Sequence, residues 1–491
     1  MMRLPTLTAL EHLAFVAAGL LTYVVVTRVR RQRRHPYAAL AWVMSIAAFP
    51  YLGLPIFLIF GTRKQIRPAT PRQPAPAGPW AALAPLWATR LLAALGVAGA
   101  RPQAAVRFFD DGEAALAELL RVIASARQTV DVCTYVLADD EVGAAVAAAL
   151  AERARAGVRV RLLVDAIGSL KVRHSHDRLL KSVGVQVRLF MPALFNPRRG
   201  RANLRNHRKF TLADGQRVWA GGRNLANEYF IGQVGEPPWL DLSFSADGAL
   251  AAQARALFEG DWRTAHGVRR APRETYAARA DEPPPAPQDP LGGPAAPVDP
   301  VPTTAQPPGP GPSHALAQWV PSGPDFHEDT LHALLVSAAF HAEQRLLLAT
   351  PYFVPDEGLL EALVLAARRG VDVLLLLPAA SNHRLADWAR GRPVRALLEA
   401  GARVRLLPRM LHAKAAVVDG QLALCGSANL DSRSLFINYE AQAAFYGQAE
   451  IDWLADWFAR LADTGTPASA EPPSWLGDMG EGVVATVAFQ L

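Results

Sequence analysis

Two α/β units of one pattern, each a layered sandwich and the pair related by pseudo-twofold symmetry, are the fold this 491-residue sequence predicts, behind an N-terminal transmembrane helical hairpin. Three observations carry that expectation. Short apolar runs of strand type alternate with amphipathic helical stretches. The same phrases return about 210 residues further on. Two uncharged runs stand ahead of the first repeat.

The length exceeds one domain of about 100–200 residues. A hydrophobic fraction of 51%, a charged fraction of 19% and a mean hydropathy of +0.10 exclude both general disorder and a polytopic membrane protein. The net charge of +7 calls for an anionic partner, and nucleic acid or anionic lipid headgroups satisfy it equally. Cys133 and Cys425 lie in apolar runs and read as small buried thiols.

The first uncharged run is Leu13–Thr27 and the second Tyr37–Phe60. A spanning helix needs about 20 apolar residues, so the pair reads as a two-helix hairpin, with Pro50 and Pro55 pointing to a kink or a re-entrant shape in the second. The sidedness stays open. Arg28, Arg30, Arg31, Arg33 and Arg34 favour a cytoplasmic loop between the helices, whereas Arg63, Lys64, Arg67 and Arg72 draw the far flank inward. Trp80–Val97 suits either an interfacial helix or an ordinary core helix.

In the repeats, the strand phrase Val130–Tyr135 is answered by Leu346–Tyr352. After a helix, Ala156–Leu163 is answered by Arg369–Leu376, and then Val183–Arg188 by Ala400–Arg405. Strands joined through amphipathic helices imply a parallel or mixed sheet in each half. Between the halves, residues 283–312 hold 13 prolines and almost no large apolar side chain, the composition of an extended, disordered linker. The expected organisation is 1–67 membrane anchor, 78–100 interfacial helix or linker, 101–270 first unit, 271–313 proline-rich linker and 314–491 second unit.

Each unit carries one HxKxxxxD motif, His207/Lys209/Asp214 and His412/Lys414/Asp419. Residues two apart share a face of an extended strand, so each motif presents an imidazole beside an ammonium. Two such pairs brought together surround a phosphodiester with what its cleavage requires. One histidine attacks phosphorus, and the other protonates the leaving oxygen and then deprotonates the incoming nucleophile. Lys209, Lys414, Asn224 and Asn429 are expected to hold the non-bridging oxygens. No HExxH, cysteine cluster or carboxylate cluster suits a metal, so metal-free and cofactor-free chemistry is expected.

The twin motifs, Gly426-Ser427-Ala-Asn429 and Asn438-Tyr-Glu440 resemble the phospholipase D superfamily. Asn203–Lys209, Ser322-Gly-Pro, Thr350–Asp356, Gly426–Ser434 and the apolar leader are similar to bacterial cardiolipin synthases in particular, over about residues 10–465. That resemblance implies two phospholipase D-like α/β sandwiches and a phosphatidyltransferase of the bacterial inner membrane. It would convert two phosphatidylglycerols to cardiolipin and glycerol through a phosphohistidine, with a lipid partner and no nucleic acid. It implies His207 as nucleophile and His412 as acid/base, with the reverse assignment open. Ser427 belongs to the phosphate-supporting set. Glu440 and Asp241 are expected to orient the imidazoles, while Asp214 and Asp419 support the turns after the motif strands. A hydrolytic phospholipase D and a catalytically silent membrane scaffold are the alternatives. The stretch Ser381–Val394 lacks the Ser and Tyr residues expected of the synthases, which leaves the acceptor open; His383 within it reads as a solvated loop residue. Arg188, Arg198, Arg199 and Arg201 form a basic run suited to a solvated face or a headgroup rim.

Overall fold

The repeat heard in the sequence becomes a symmetry of hydrogen bonding in the computed structural model. It describes residues 9–29, 36–60, 80, 83–169, 175–191, 203–265, 315–326 and 328–487. Arg30–Arg34, the flank Arg63–Arg72, the run Arg198–Arg201 and the proline-rich segment 271–313 lie outside the described residues.

The first half contributes β1 (Arg101–Phe109), β2 (Thr129–Thr134), β3 (Arg159–Asp165), β4 (Gln186–Phe190), β5 (Phe210–Ala213), β6 (Arg217–Gly221) and β7 (Ser243–Gly248). The second contributes β8 (Ala315–Ser322), β9 (Arg345–Ala349), β10 (Phe353–Val354), β11 (Asp372–Pro378), β12 (Arg403–Leu407), β13 (Ala415–Val418), β14 (Leu422–Gly426), β15 (Leu430–Asp431), β16 (Glu440–Phe445) and β17 (Thr466–Pro467). Among the described residues, 15 of these strands form one sheet, in the order β17-β12-β11-β9-β13-β14-β16-β8-β1-β7-β6-β5-β2-β3-β4. Outward from the centre, β1-β7-β6-β5-β2-β3-β4 mirrors β8-β16-β14-β13-β9-β11-β12. The pseudo-twofold axis passes between β1 and β8, which pair antiparallel from Arg101↔Ala317 to Gln103↔Ala315.

Side-chain alternation builds the layers. Along β9, Leu346 and Leu348 enter one core while Leu347 and Ala349 enter the core on the opposite face. On one face, the helices Ala249–Ala265 and Gln448–Thr464 bury Phe258, Trp262, Leu454 and Phe458 in a single cluster that spans both halves. On the other face each half has its own cluster, under the helices Gly112–Ser125 and Glu141–Arg155 or Thr330–His341 and Glu357–Arg368. Two repeats therefore share one sheet and one core layer, each buried Leu or Phe contributing about 1.5–3 kcal/mol. Aspartates start several of the helices: Asp111 accepts from Ala114 N, Asp140 from Gly143 N and Asp356 from Gly358 N.

The N-terminal region departs from the simple hairpin. The helix Ala9–Val29 contains Leu10–Thr27, among the described residues the one stretch of helix long and apolar enough to cross a membrane. The second apolar run is broken at Phe49–Pro50 into Pro36–Ala48 and Pro50–Phe60, each too short to span. Pro50 has no N–H to continue the first segment. Gly53 comes so close to Ser45 O that a Cβ would stand 2.6 Å from it, which lets the chain fold back. Trp42 and Phe57 consequently meet with ring centroids 5.4 Å apart, where a straight helix would separate them by about 20 Å. Tyr23, Ile46 and Phe57 close the small core of this three-helix unit.

The helix Leu86–Ala94 sits under the globular part: Ala88 and Leu92 are buried in the same cluster as the helix Thr330–His341, and Trp87 stacks on His341 at 5.0 Å. Its Leu86, and Leu83 just ahead of it, stay exposed. Both cysteines are buried and free.

Candidate active site

The segments just before β5 and β13 carry the motif histidines, and each is bridged to the other half of the molecule. His207 N donates to Tyr439 O and Tyr439 N to Arg205 O; His412 N donates to Leu240 O and Leu240 N to Met410 O. These two parallel bridges are related by the pseudo-twofold axis, and they put both imidazoles in one cavity of about 750 Å³.

The side chains cross the junction too. His207 Nδ1 lies 3.1 Å from Glu440 Oε2 and 3.1 Å from Ser427 O, both acceptors, so Nδ1 carries the proton and Nε2 is left with its lone pair. His412 Nδ1 lies 2.7 Å from Asp241 Oδ2. Each histidine is thus oriented by a carboxylate of the opposite repeat. Ser427 Oγ donates to Glu440 Oε2 at 2.6 Å. Lys209 Nζ donates to His207 O at 2.8 Å, while Lys414 Nζ lies 2.7 Å from His412 Nδ1 and 2.9 Å from Nε2 and also donates to His412 O.

Burial sets the protonation states. It drives His207 down to about 4 and His412 to about 3, so both rings are neutral near neutral pH. It also lowers Lys209 to about 8 and Lys414 to about 7. Burial opposes ionisation of Glu440 and Asp241, but His207 and Lys209 beside the first, and His412, Lys414 and Arg223 beside the second, hold both below the ordinary carboxylate range.

The motif aspartates do not join this cluster. Asp214 and Asp419 lie past the far ends of β5 and β13, at φ 54° and 51°. Asp214 accepts from the N–H groups of Arg127, Gln128 and Thr129, and Asp419 from those of Glu343, Gln344 and Arg345. Neither lines the cavity; each carboxylate instead ties down N–H groups at the start of a neighbouring strand, β2 for Asp214 and β9 for Asp419.

Asn224 and Asn429 line the cavity, and the Oδ1 of each is buried with no hydrogen-bond partner. Asn224 Nδ2 donates to Tyr229 OH at 2.7 Å. Ser427 itself is turned away, onto Glu440. Sequence reasoning did not mark Tyr135 and Tyr352, which both line the cavity; Tyr135 packs edge-on against His207 at 5.1 Å. Tyr135 directly follows β2 and Tyr352 comes three residues after β9, in the answering phrases Val130–Tyr135 and Leu346–Tyr352, so the repeat held part of the signal. Arg205, Arg433, Asn203 and Asn438 join the lining on the His207 side, with Arg433 Nη1 donating to Asn203 Oδ1 at 2.9 Å. Trp42 and Ile56 of the N-terminal unit reach the same cavity, a placement that no local pattern announces. His383, exposed as expected, stands at its mouth beside Asn382, whose Oδ1 accepts from Tyr352 OH at 2.6 Å. Arg188 does not belong here: its guanidinium lies 4.1 Å above the Trp262 ring. Among the described residues no group of His, Cys, Asp and Glu is arranged to hold a metal ion.

A duplicated α/β sheet with one imidazole from each repeat facing a common cavity defines a phospholipase D-like protein. The family model described as "Cardiolipin synthase, PLD-like domain" matches residues 119–262 and 335–462, and the chain belongs to that family. A second model, phospholipase D-nuclease N-terminal, matches residues 19–61. The chain is 32% identical over 485 residues to cardiolipin synthase A of Pseudomonas aeruginosa, covering 93% of this chain and 90% of the relative. It is 30% identical over 458 residues to cardiolipin synthase A of Pectobacterium carotovorum, covering 88% of each. The crystal structure of phosphatidylserine synthase from Haemophilus influenzae superposes with a TM-score of 0.59 at 13% identity, over 82% of this chain and all of that one, a likeness of fold.

Proposed function

We propose that this protein is a membrane-bound phosphatidyltransferase of the bacterial inner membrane that makes cardiolipin and glycerol from two molecules of phosphatidylglycerol. The observation that carries the reading is the single cavity in which His207 and His412 face each other's repeat while Trp42 and Ile56 of the apolar N-terminal unit form part of the wall.

In the first step His207 Nε2 attacks phosphorus, a P–N bond forms, the P–O bond to glycerol breaks, and His412 gives its proton to the departing oxygen. A phosphodiester anion between the rings favours the protonated His412 that this step needs. In the second step His412 takes the proton of a hydroxyl on the second phosphatidylglycerol, whose oxygen attacks phosphorus as the P–N bond breaks. Glu440 keeps the proton of His207 on Nδ1 throughout. Lys209, Lys414, Asn224 and Asn429 supply donors to the equatorial oxygens as their charge grows. The sequence relatives named cardiolipin synthase A support the choice of substrate.

The test is to incubate detergent-purified protein with phosphatidylglycerol carrying a labelled headgroup and a labelled acyl chain. Cardiolipin and free glycerol in equal amounts are expected; phosphatidic acid as the sole lipid product would replace the transferase by a hydrolase.

A further inference from the structure

We infer that the helices Arg384–Ala389 and Trp475–Val487 form a second, peripheral membrane contact, a lip that rests in the headgroup region of the bilayer beside the cavity mouth. The inference rests on the membrane reading above and adds to it a surface outside the N-terminal anchor.

The two helices pack together through Ala386, Ala389 and Val484, all buried. Their other faces are apolar and uncovered: Leu385 is 47% exposed, Trp388 61%, Trp475 74% and Met479 50%. Leu385 and Trp388 are three apart, and Trp475 and Met479 four apart, so each pair occupies one helix face. Trp388 lies beside Gly480, where an added Cβ would meet its ring at 3.9 Å, which joins the two pairs into one patch. Tryptophan with Leu or Met at the rim of an apolar surface is the composition that settles at a membrane interface.

The occupant follows from continuity. The helix Trp475–Val487 also packs on Pro36–Ala48 of the N-terminal unit, which exposes Leu40 and Met44. From the globular side, Arg392 clips Asp478 at 2.8 Å and Arg395 clips Glu481 at 2.6 Å, so the helix is held with its apolar face outward. The neighbouring Ala386 lines the cavity. One short helix therefore has its inner face on the site and its outer face on the patch, which would let a lipid headgroup pass from bilayer to cavity without crossing water. The stretch Ser381–Val394, where the expected family residues are missing, is the platform for this arrangement, and Trp475–Val487 lies beyond the matched segment that ends at residue 462.

The full chain is reconstituted into phosphatidylglycerol-containing vesicles with a single fluorophore on Met479→Cys or, as a control, on Leu21→Cys in the N-terminal helix; Cys133 and Cys425 are buried and stay unlabelled. Lipids spin-labelled near the glycerol backbone should quench the probe at 479, and lipids labelled deep in the acyl chain the probe at 21. Quenching at 21 without quenching at 479 overturns the lip and leaves the anchor standing; quenching at neither site overturns both. As a second arm, Leu385→Ser with Trp475→Ser should raise KM for vesicle-borne phosphatidylglycerol about fivefold or more, with kcat/KM toward a water-soluble phosphodiester unchanged. An unchanged vesicle KM speaks against the lip.

Discussion

The two repeats carry the same motif but pack it in different company. His207 directs Nδ1 to Glu440 and to the Ser427 carbonyl, and its side chain is 12% exposed; His412 is 5% exposed, with Asp241 at Nδ1 and Lys414 Nζ against the ring, 2.7 Å from Nδ1 and 2.9 Å from Nε2. Around His207 the cavity is lined by Asn203, Arg205, Arg433 and Asn438. By the offset of the motifs, Arg205 answers to Met410 and Arg433 to Glu228. Around His412 the neighbours are aromatic, with Tyr229 edge-on at 4.9 Å and Trp239 at 5.7 Å. A duplicated fold has thus kept its chemistry on both sides and let the surroundings diverge. On the mechanism proposed above, that divergence would let two like histidines take unlike roles: an Nε2 left with its lone pair suits a nucleophile, whereas a ring beside a lysine amine suits proton exchange.

The largest effect should come from the histidines themselves. His207→Ala and His412→Ala should each lower kcat at least about ten-thousandfold. An activated phosphodiester whose leaving group needs no proton separates them: phosphoenzyme should accumulate in the His412→Ala protein and be missing from the His207→Ala protein. The opposite labelling pattern would exchange the two roles. Next come the carboxylates across the junction. Glu440→Gln and Asp241→Asn should each cost about 100-fold in kcat with little change in KM, measured by cardiolipin formation. Equal losses for Glu440→Gln in a His207→Ala background and alone would deny that Glu440 acts through His207.

The support behind the histidines differs as well. Ser427 bonds Glu440, but its counterpart is Gly222, where a Cβ would stand 2.2 Å from Asp241 Oδ1. Ser427→Gly should cost about 1–3 kcal/mol of stability for the lost buried hydrogen bond. Gly222→Ser should be the worse of the two, lowering both Tm and kcat, because the shorter aspartate leaves no space; a well-folded, active Gly222→Ser protein would contradict that packing. The smallest effect is on pH. A histidine titrates near 6.5 when unfolded, whereas His207 and His412 titrate at about 4 and about 3, so the unfolded chain binds more protons in between. The stability held above 6.5 should decline as pH falls through that window, and a His207→Gln, His412→Gln protein should show a flatter dependence of Tm on pH between about 7 and 5.

Much of the site was legible in the chain because it is local and repeated. HxK on an extended segment puts an imidazole and an ammonium on one side whatever the rest of the fold does, and the two copies announce that two sides meet. The parallel pairing of β2, β3 and β4 and of β9, β11 and β12 could be anticipated, since these apolar runs are separated by helices, whereas the antiparallel pairing of the remaining strands had no such signal. The second N-terminal run was harder to read: its hydropathy spans 24 residues, yet Pro50 and Gly53 turn it back on itself, and local backbone geometry overrode composition.

Sequence alone determined the reaction type, since residue identity and two-residue spacing dictate which groups can face a phosphodiester. Tertiary structure alone decided which carboxylate serves which histidine. Glu440 is 233 residues from His207 and Asp241 is 171 from His412, and nothing in either motif encodes a partner across the junction. The same holds for the meeting of Trp42 with the cavity that holds both histidines and for the divergence of its two walls. Those contacts arise from the docking of the two halves about the β1/β8 seam, a property of shape complementarity that no single segment contains.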